Sequence, residues 1–257
     1  MPSLGDRPLG TVDLNADVGE TDGDDALLAV VTSASVACGL HGGDPSTMRR
    51  IVREAFRRGV VLGAHASYPD REGFGRRELG MGAEQIADAV CYQIGALGAI
   101  AGLEGVPVRY VKLHGALYHR AAADEEVALA LAQALAVIGP FVVLGQAGSA
   151  LLKMCEKSGL PVATEAFCDR AYGPDGRLVD RKGLGAVLED PMRAAARAVA
   201  IAVGGSVEAT DGSILAIEAS SLCVHGDTPR ALEHAGLVRA ALETAGVRIA
   251  PFAALSP

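Results

Sequence analysis

The sequence predicts an α/β fold in which parallel strands and helices alternate and close into a β/α barrel. Short β-rich runs alternate strictly with longer helical patterns, which implies parallel strands joined by right-handed crossovers. About seven or eight such units within 257 residues fit a closed barrel. The chain is 50% apolar, and no internal repeat or Pro- or Ser-rich linker divides it. We therefore expect a single domain over residues 1–257, with residues 1–10 as a loose N-terminal tail.

Seven strands are predicted from aliphatic and β-branched runs that end at glycine, proline or polar positions. They are Thr11–Asp17, Ala34–Gly39, Val60–His65, Arg109–His114, Phe141–Gly145, Val162–Phe167 and Ile214–Ala219. A further run, Ser221–His225, is interpreted as a continuation of the last strand. A doubly wound open sheet is the alternative arrangement, but the first β-α turn lacks the G-x-G-x-x-G pattern of dinucleotide-binding folds.

Seven helices are predicted between these strands. They are Asp24–Ser33, Pro45–Arg58, Glu84–Leu103, Asp124–Ile138, Ser149–Ser158, Pro191–Val203 and Pro229–Ala245. The helix Pro45–Arg58 has the clearest boundaries. Asp44 is a suitable N-cap, proline suits the first helical position, and Gly59 provides the stop.

Composition and charge exclude several classes of partner. The net charge is −8, aromatic residues make up 4%, and there is no basic stripe, so we expect neither a nucleic-acid partner nor an anionic membrane surface. The N-terminus lacks the apolar segment of a signal peptide. The longest apolar stretches contain glutamine, glycine or proline, so no membrane span is expected. Five cysteines without C-x-x-C spacing predict neither a disulfide framework nor a zinc knuckle, and favour a cytoplasmic location.

Histidine, carboxylate and lysine residues concentrate at the ends of the predicted strands. They are Asp13, Asn15, Asp17 and Glu20; His41 and Asp44; His65, Ser67 and Asp70; Lys112 and His114; Glu165, Asp169 and Arg170; and His225 and Asp227. In a parallel barrel, the loops after the strand C-termini share one rim, where active sites are built. Residues spaced by two point to one side of a strand, so we expect the polar rows to face the upper barrel interior. His234 alone lies in a predicted helix and is interpreted as a surface residue.

Two kinds of chemistry are open to such a pocket. In the first, a divalent metal polarises a carbonyl or activates water. Its candidate ligands are Asp17, His41, His65 and His114. No H-E-x-x-H motif supports a metal. In the second, Asp17 or a histidine is the general base, and Lys112 neutralises a developing oxyanion. A buried lysine needs a carboxylate neighbour or a lowered pKa, and Asp13 is a candidate partner.

Two further segments are rich in arginine. The stretch "REGFGRRELG" (71–80) combines glycines, which permit close backbone approach, with guanidinium donors suited to a carboxylate. The stretch "PDGRLVDR" (174–181) is typical of a hairpin or lid.

Among the residues at the strand ends, we expect Asp17, His65, Lys112 and His114 to be catalytic. The expected substrate-binding residues are Asp13, Asn15, Glu20, His41, Arg76, Arg77, Arg170 and His225.

Six segments taken together resemble the LamB/YcsF family. They are "DLNADVGE", "ACGLHGGD", "GAHASYPDREGFGRR", "VKLHGALYH", "EAFCDRAYGPDGRLVDR" and "CVHGD". The resemblance runs in order from about Thr11 to Ala250. It implies a seven-stranded β/α barrel of the glycoside hydrolase/deacetylase type. It also implies ATP-dependent opening of 5-oxoproline to L-glutamate, together with B and C subunits on other chains.

The resemblance leaves some features of the site open. ATP would be used by the complex, since this chain has no G-x-x-x-x-G-K-[ST] sequence. Leu40 and His119 depart from the family pattern and could alter the pocket edge, so a lactam related to 5-oxoproline stays open as the substrate. A stand-alone, metal-dependent deacetylase or amidohydrolase acting on a small amide or sugar is the second interpretation. A binding subunit without chemistry of its own is the third.

Overall fold

A computed structural model describes residues 10–227 and 230–253, and in that part of the chain the strands form a closed barrel. The strands are β1 (Thr11–Val18), β2 (Ser33–Ala37), β3 (Val61–Ala66), β4 (Val108–Leu113), β5 (Val142–Gln146), β6 (Val162–Phe167), β7 (Ser206–Glu208), β8 (Ile214–Ala216), β9 (Ser221–Val224) and β10 (Arg248–Ile249). Seven of them, β1 to β6 and β9, close the barrel because β9 pairs in parallel with both β6 and β1. The predicted parallel β/α barrel is confirmed. Residues 1–9 of the predicted tail lie outside the described residues, and the single domain stays a prediction.

The last predicted strand is wrong in its position. Strand β8 is not part of the barrel but pairs antiparallel with β7, so that Val207 lies opposite Leu215. The turn between them contains Gly212 at φ 85°, a left-handed conformation that glycine adopts readily. Ile214 is exposed, which shows why an apolar run alone did not identify a barrel strand. The seventh barrel strand is instead β9, which the sequence analysis had interpreted as a continuation.

Helices surround the barrel at nearly the predicted places. A 3-10 helix covers Asp24–Ala29, and the α-helices are α1 (Pro45–Arg58), α2 (Ala83–Leu103), α3 (Gly115–Ala123), α4 (Glu125–Ile138), α5 (Ala150–Lys157), α6 (Pro191–Gly204) and α7 (Ala231–Thr244). Helix α1 has the predicted bounds because the Asp44 carboxylate accepts hydrogen bonds from two backbone N–H groups of the first turn, and Gly59 ends it at φ 68°. Helix α3 was not predicted. Asp124 separates it from α4, which it caps at its N-terminus.

The alternation of side chains along β1 places polar groups inside the barrel and aliphatic groups outside. Leu14 and Ala16 belong to the large core between the strands and the helical coat. The lower barrel interior holds a second, small apolar cluster built around Tyr110. Its ring occupies the space where a side chain on Gly63 would stand, so glycine is required there. The polar and apolar rows therefore have the predicted directions.

Helix α2 is long and apolar enough to cross a membrane by length and composition. In the fold it packs against the barrel, with Val90, Ile94 and Leu97 in the core. Gln93 is fully buried; its amide accepts a hydrogen bond from the Ser67 N–H at 3.0 Å and donates one to the Ser67 carbonyl at 2.8 Å. These contacts make α2 a helix of the barrel coat that is tied to the end of β3.

Candidate active site

A pocket of about 570 Å³ opens at the carboxyl ends of the barrel strands. Seven residues predicted for the site line it: Asp17, His65, Arg76, Lys112, His114, Arg170 and His225. His119, one of the departures from the family pattern, also lies in its wall. The strands thus bring together residues from β1, β3, β4, β6 and β9 at one rim, as the fold predicts.

Lys112 lies at the floor of this pocket and is almost fully enclosed. Its Nζ atom is 2.8 Å from Asp17 Oδ1, 2.8 Å from Glu165 Oε1 and 3.2 Å from Asn15 Oδ1. A lysine ammonium group has three N–H donors, and here three acceptors match them. The Cys223 Sγ atom lies 3.1 Å from the same nitrogen. We call these five residues the lysine cluster.

The charges of the lysine cluster stabilise one another. Burial by itself lowers the pKa of a lysine, but Asp17 and Glu165 hold the pKa of Lys112 well above its ordinary value. Burial likewise raises the pKa of an aspartate, but His65 and Lys112 hold the pKa of Asp17 well below its ordinary value. Lys112 and Asp17 are therefore a charged pair at neutral pH.

The predicted pairing of Lys112 with Asp13 is wrong, because Asp13 lies deeper in the barrel. Its Oδ1 accepts hydrogen bonds from the hydroxyls of Thr32 and Ser33, both at 2.7 Å, and its Oδ2 accepts one from Ser221. Burial, only partly offset by these hydroxyls, raises the pKa of Asp13 to about 6. Asp13 is not among the residues that line the pocket. Its role in substrate binding stays a prediction.

Glu20 and three histidines form a second group beside the lysine cluster, which we call the histidine cluster. The Glu20 Oε1 atom lies 2.8 Å from His114 Nδ1, 3.0 Å from His41 Nε2 and 3.5 Å from His65 Nε2. His41 and His114 are stacked with their ring centroids 4.1 Å apart. One carboxylate oxygen is thus shared by three imidazoles from three different strand ends.

The pKa values of the histidine cluster diverge. Burial and the neighbouring His114 lower the pKa of His41 to about 4. Burial also lowers that of His114, but the carboxylate of Glu20 outweighs it and raises the pKa of His114 above its ordinary value. The nearby imidazoles in turn hold the pKa of Glu20 well below its ordinary value against the effect of burial.

The glycine-rich loop 71–80 holds the histidine cluster in place. The Phe74 carbonyl accepts a hydrogen bond from His114 Nε2 at 2.8 Å. Phe74 has φ 55° and is followed by Gly75 at φ 65°, two consecutive left-handed residues that turn this carbonyl towards the ring. A side chain on Gly75 would collide with the Ser67 hydroxyl and approach His114 Cδ2 to 2.9 Å. The loop therefore packs against the site with its backbone.

The arginines of the two arginine-rich segments have different positions. Arg76 and Arg181 line the pocket, and both donate to Asp227, so the loop and the segment 174–181 meet at the mouth. Arg170 lines the pocket and donates to the Val179 carbonyl within this segment and to the Ala186 carbonyl beyond it. Arg77 pairs with Asp70 outside the pocket lining. Its predicted role in substrate binding has no support from this geometry.

His225 is oriented by a carboxylate that the sequence analysis noted but did not select. Asp169 accepts hydrogen bonds from the His225 backbone N–H at 3.0 Å and from its Nδ1 at 2.9 Å. Burial raises the pKa of Asp169, but His225 and Arg181 more than reverse this and keep it well below its ordinary value. Since Nδ1 carries the hydrogen, Nε2 is the unprotonated nitrogen of the neutral ring. The alternation of side chains along β6 could have identified Glu165 as a residue that faces the barrel interior. Only the fold shows that Asp169 faces His225.

His234 is the one histidine whose predicted environment is wrong. It is fully buried, and its Nε2 lies 3.1 Å from the Glu189 carbonyl. The helical period alone did not show that α7 turns this residue towards the neighbouring segment before α6. It lies away from the pocket lining and takes no part in the site.

Among the described residues, two groups of side chains have the composition of a metal site. They are Glu20, His41, His65 and His114, and Asp17, Cys223 and His225, with the ligand atoms in each group within 4.8 Å of one another. In the second group, the Lys112 ammonium lies 2.8 Å from Asp17 and 3.1 Å from Cys223 and already supplies a cation. The geometry groups Glu20, rather than Asp17, with the three histidines of the predicted ligand set, and a metal bound there stays a prediction.

Comparison with known proteins gives matches over nearly the whole chain. The sequence matches the LamB/YcsF family over residues 12–257. It is 52% identical to the 5-oxoprolinase A subunit of Streptomyces coelicolor over 94% of this chain and 100% of the relative. It is 48% identical to a 5-oxoprolinase A subunit of Agrobacterium fabrum, over 95% of this chain and 99% of the relative. The crystal structure of a lactam utilization protein from Thermus thermophilus superposes with a TM-score of 0.88 at 43% identity, over 94% of this chain and 100% of that one. Because the match extends over nearly the whole sequence, the chain belongs to the LamB/YcsF family.

Proposed function

We propose that this chain is the A subunit of an ATP-dependent 5-oxoprolinase, which opens the lactam ring of 5-oxo-L-proline to L-glutamate. The observation that carries the proposal is similarity from end to end with relatives that bear this subunit name, at 52% and 48% identity. The name of the Thermus protein, which refers to lactam utilization, supports the same substrate class. The word "subunit" in the relatives' names supports partners on other chains, which we propose to be the B and C subunits.

The pocket suits a small anionic lactam. A volume of about 570 Å³ lies within the usual range for a small-molecule site. Arg76 and Arg181 at the mouth supply guanidinium donors for a carboxylate. Asp17 and Lys112 lie at the floor, where the carbonyl of a bound lactam would be enclosed by protein dipoles rather than by bulk water.

The reaction defines what the site must supply. Ring opening breaks the lactam C–N bond, joins a water oxygen to the carbonyl carbon and places a proton on the nitrogen. Hydrolysis of ATP to ADP and phosphate consumes a second water. The two are coupled when the lactam oxygen takes the terminal phosphoryl group from ATP and releases ADP, because the phosphorylated oxygen makes the carbon more electrophilic. The first water then adds to that carbon, the C–N bond breaks with a proton on the nitrogen, and the second water hydrolyses the resulting acyl phosphate to glutamate and phosphate.

We propose distinct roles for the charged residues. His225, held by Asp169, removes a proton from the attacking water, and this kind of dyad is a common general base. Lys112 has its three donors matched by acceptors, so it acts by fixing Asp17 as a carboxylate and by its positive charge. Asp17 Oδ2 faces His65 at 3.4 Å and links the two clusters.

We propose that a partner subunit binds the nucleotide, because this chain has no P-loop sequence. The five cysteines are free thiols, which supports a reducing compartment and thus the proposed cytoplasmic location. A divalent metal in this chain is a separate question, which the histidine cluster addresses.

The proposal is tested by reconstitution. The chain is mixed with its candidate partner subunits, 5-oxoproline and ATP, and glutamate and ADP are measured. We expect equal amounts of both products, and only when all subunits are present. The Asp17→Asn variant, added in place of the wild-type chain, is expected to give neither the normal rate nor normal coupling.

Other outcomes identify the alternatives. Glutamate formed from the isolated chain without ATP would support the stand-alone amidohydrolase. Substrate binding that is lost in Asp17→Asn, with unchanged chemistry in the partner subunits, would support a binding subunit. Absence of glutamate from the complete mixture, with all chains folded, would refute the proposed function.

A further inference from the structure

The histidine cluster has an arrangement of nitrogen and oxygen atoms that its own side chains do not complete. His65 Nε2 and His114 Nδ1 are 3.0 Å apart. Both also face Glu20 Oε1, at 3.5 Å and 2.8 Å respectively. These three atoms come from the ends of different strands and converge on one point beside the pocket.

Backbone carbonyls fix the hydrogen positions on both rings. His65 Nδ1 lies 3.2 Å from the Lys112 carbonyl, and His114 Nε2 lies 2.8 Å from the Phe74 carbonyl. A carbonyl oxygen only accepts hydrogen bonds, so these two nitrogens carry the hydrogens. In a neutral imidazole the other nitrogen then has a lone pair. The two lone pairs therefore point at each other and at the Glu20 carboxylate.

Three converging lone pairs with no donor among them require a cation, which is either an added proton on His114 or a metal ion. Histidines that ligate a metal usually donate their other N–H to a carbonyl or carboxylate, which is the arrangement of both rings here. The spacing also fits a metal, because two ligands of a tetrahedral ion at ~2.0–2.1 Å lie roughly 3.3 Å apart. The observed separations of 2.8–3.5 Å bracket that value.

We infer that Glu20, His65 and His114, with His41 as the fourth ligand, bind a divalent transition-metal ion of the zinc type. His41 is assigned as the fourth ligand by position, because its Nε2 lies 3.0 Å from the shared Glu20 oxygen. Its Nδ1 would then carry a hydrogen for which the described residues offer no acceptor, unlike the rings of His65 and His114. Imidazole and carboxylate ligands suit Zn²⁺ and its neighbours. His65 and His114 line the pocket, so the ion is reachable from it.

The metal site stands on this geometry alone, but its use in catalysis rests on the proposed function. An ion at this position lies beside Asp17, whose Oδ2 is 3.4 Å from His65 Nε2. There it would polarise a lactam carbonyl or lower the pKa of a bound water. The lysine cluster would then hold Asp17 as a carboxylate within 4.8 Å of His225, which receives the proton from that water.

The experiment measures metal binding by the full chain, without substrate or partner subunits. The purified protein is analysed for Zn²⁺ by elemental mass spectrometry, then stripped with a chelator and titrated with Zn²⁺ or Co²⁺. We expect one ion per chain and a rise in Tm on rebinding. The visible spectrum of the Co²⁺ form should show nitrogen and oxygen ligation without a thiolate charge-transfer band, which separates this site from the group that contains Cys223.

Variants locate the ion. Glu20→Gln and His114→Gln are expected to weaken binding by about 10–100-fold or more, while His234→Gln, a buried histidine away from the pocket, keeps it. The proposal is overturned if the folded wild-type chain binds neither Zn²⁺ nor Co²⁺, or if Glu20→Gln binds as tightly as the wild type. The wild-type measurements decide the question even where a variant does not fold. Metal binding without 5-oxoprolinase activity would leave this inference intact and count only against the proposed function.

Discussion

The lysine cluster and the histidine cluster lie side by side at the same rim, yet they are opposite in design. In the first, a cation lies at the centre and acceptors surround it, so that each Lys112 donor has a partner. In the second, a carboxylate oxygen lies among nitrogens whose hydrogens are already used elsewhere. Every donor of the central cation in the lysine cluster has an acceptor, although Glu165 Oε2 is buried without a hydrogen-bond partner among the described residues. We propose that the histidine cluster, in contrast, is completed by an added cation.

The two clusters are expected to contribute differently to the stability of the fold and to ligand binding. A complete buried ion pair ties the strands together, and removing its central charge leaves carboxylates unpaired in the barrel. If the histidine cluster binds a cation, its contribution to stability depends on that ion being bound. We therefore expect mutations in the lysine cluster to affect folding first, and those in the histidine cluster to affect metal affinity and turnover.

The largest effect is expected for Lys112→Met. The variant carries a stability cost as well as a loss of turnover, because Asp17 and Glu165 lose their shared cation. We expect turnover to fall to background and the free energy of unfolding to drop by about 3–5 kcal/mol, measured by urea denaturation. Lys153→Met on the exposed face of α5 is the matched control. Wild-type stability in Lys112→Met would contradict the account of a complete cluster.

The next largest effect is expected for Asp169→Asn. The amide would no longer hold the His225 ring with its hydrogen on Nδ1, so the proposed base would lose its orientation. We expect kcat of the reconstituted complex to fall at least about 100-fold, with a smaller change in KM. His234→Gln serves as the control for a buried histidine outside the pocket. An unchanged kcat in Asp169→Asn would remove His225 from the proposed mechanism.

A smaller effect, confined to the histidine cluster, is expected for Gly75→Ala. The new side chain collides with Ser67 and presses on His114, and φ 65° adds strain. We expect a loss of about 1–3 kcal/mol in the free energy of unfolding and weaker metal binding. Gly80→Ala in the same loop meets nothing within 4 Å and should behave as the wild type. Equal behaviour of the two variants would show that loop 71–80 does not position the cluster.

The smallest effect is expected at the mouth of the pocket, which belongs to neither cluster. Arg76→Ala removes a guanidinium that lines the pocket, and we expect KM for 5-oxoproline to rise roughly tenfold, equivalent to about 1.4 kcal/mol. Arg77→Ala, one residue away but paired with Asp70 outside the pocket, should leave KM within about twofold. The reverse order would restore Arg77 as the substrate-binding residue of the loop.

The sequence predicted the barrel because strand period and helix caps are local signals. Asp44 and Gly59 bound α1 through contacts within a few residues, and the polar row of β1 follows from alternation alone. Local signals do not identify which side chains meet across the barrel. Asp13 and Asp17 have the same parity, and only the register against neighbouring strands shows which one lies at the level of Lys112. The run that begins at Ile214 failed for a related reason, since an apolar run does not specify which strand it pairs with.

Tyr110, which fills the lower barrel, limits the route by which reactants can reach the site. Tyr110 and Phe252 pack with their ring centroids 5.0 Å apart beneath the charged clusters, so that end of the cylinder is plugged. Reactants reach Lys112 from the rim, and products leave by the same entrance. A partner seated on the rim would therefore face the route that both reactants and products take.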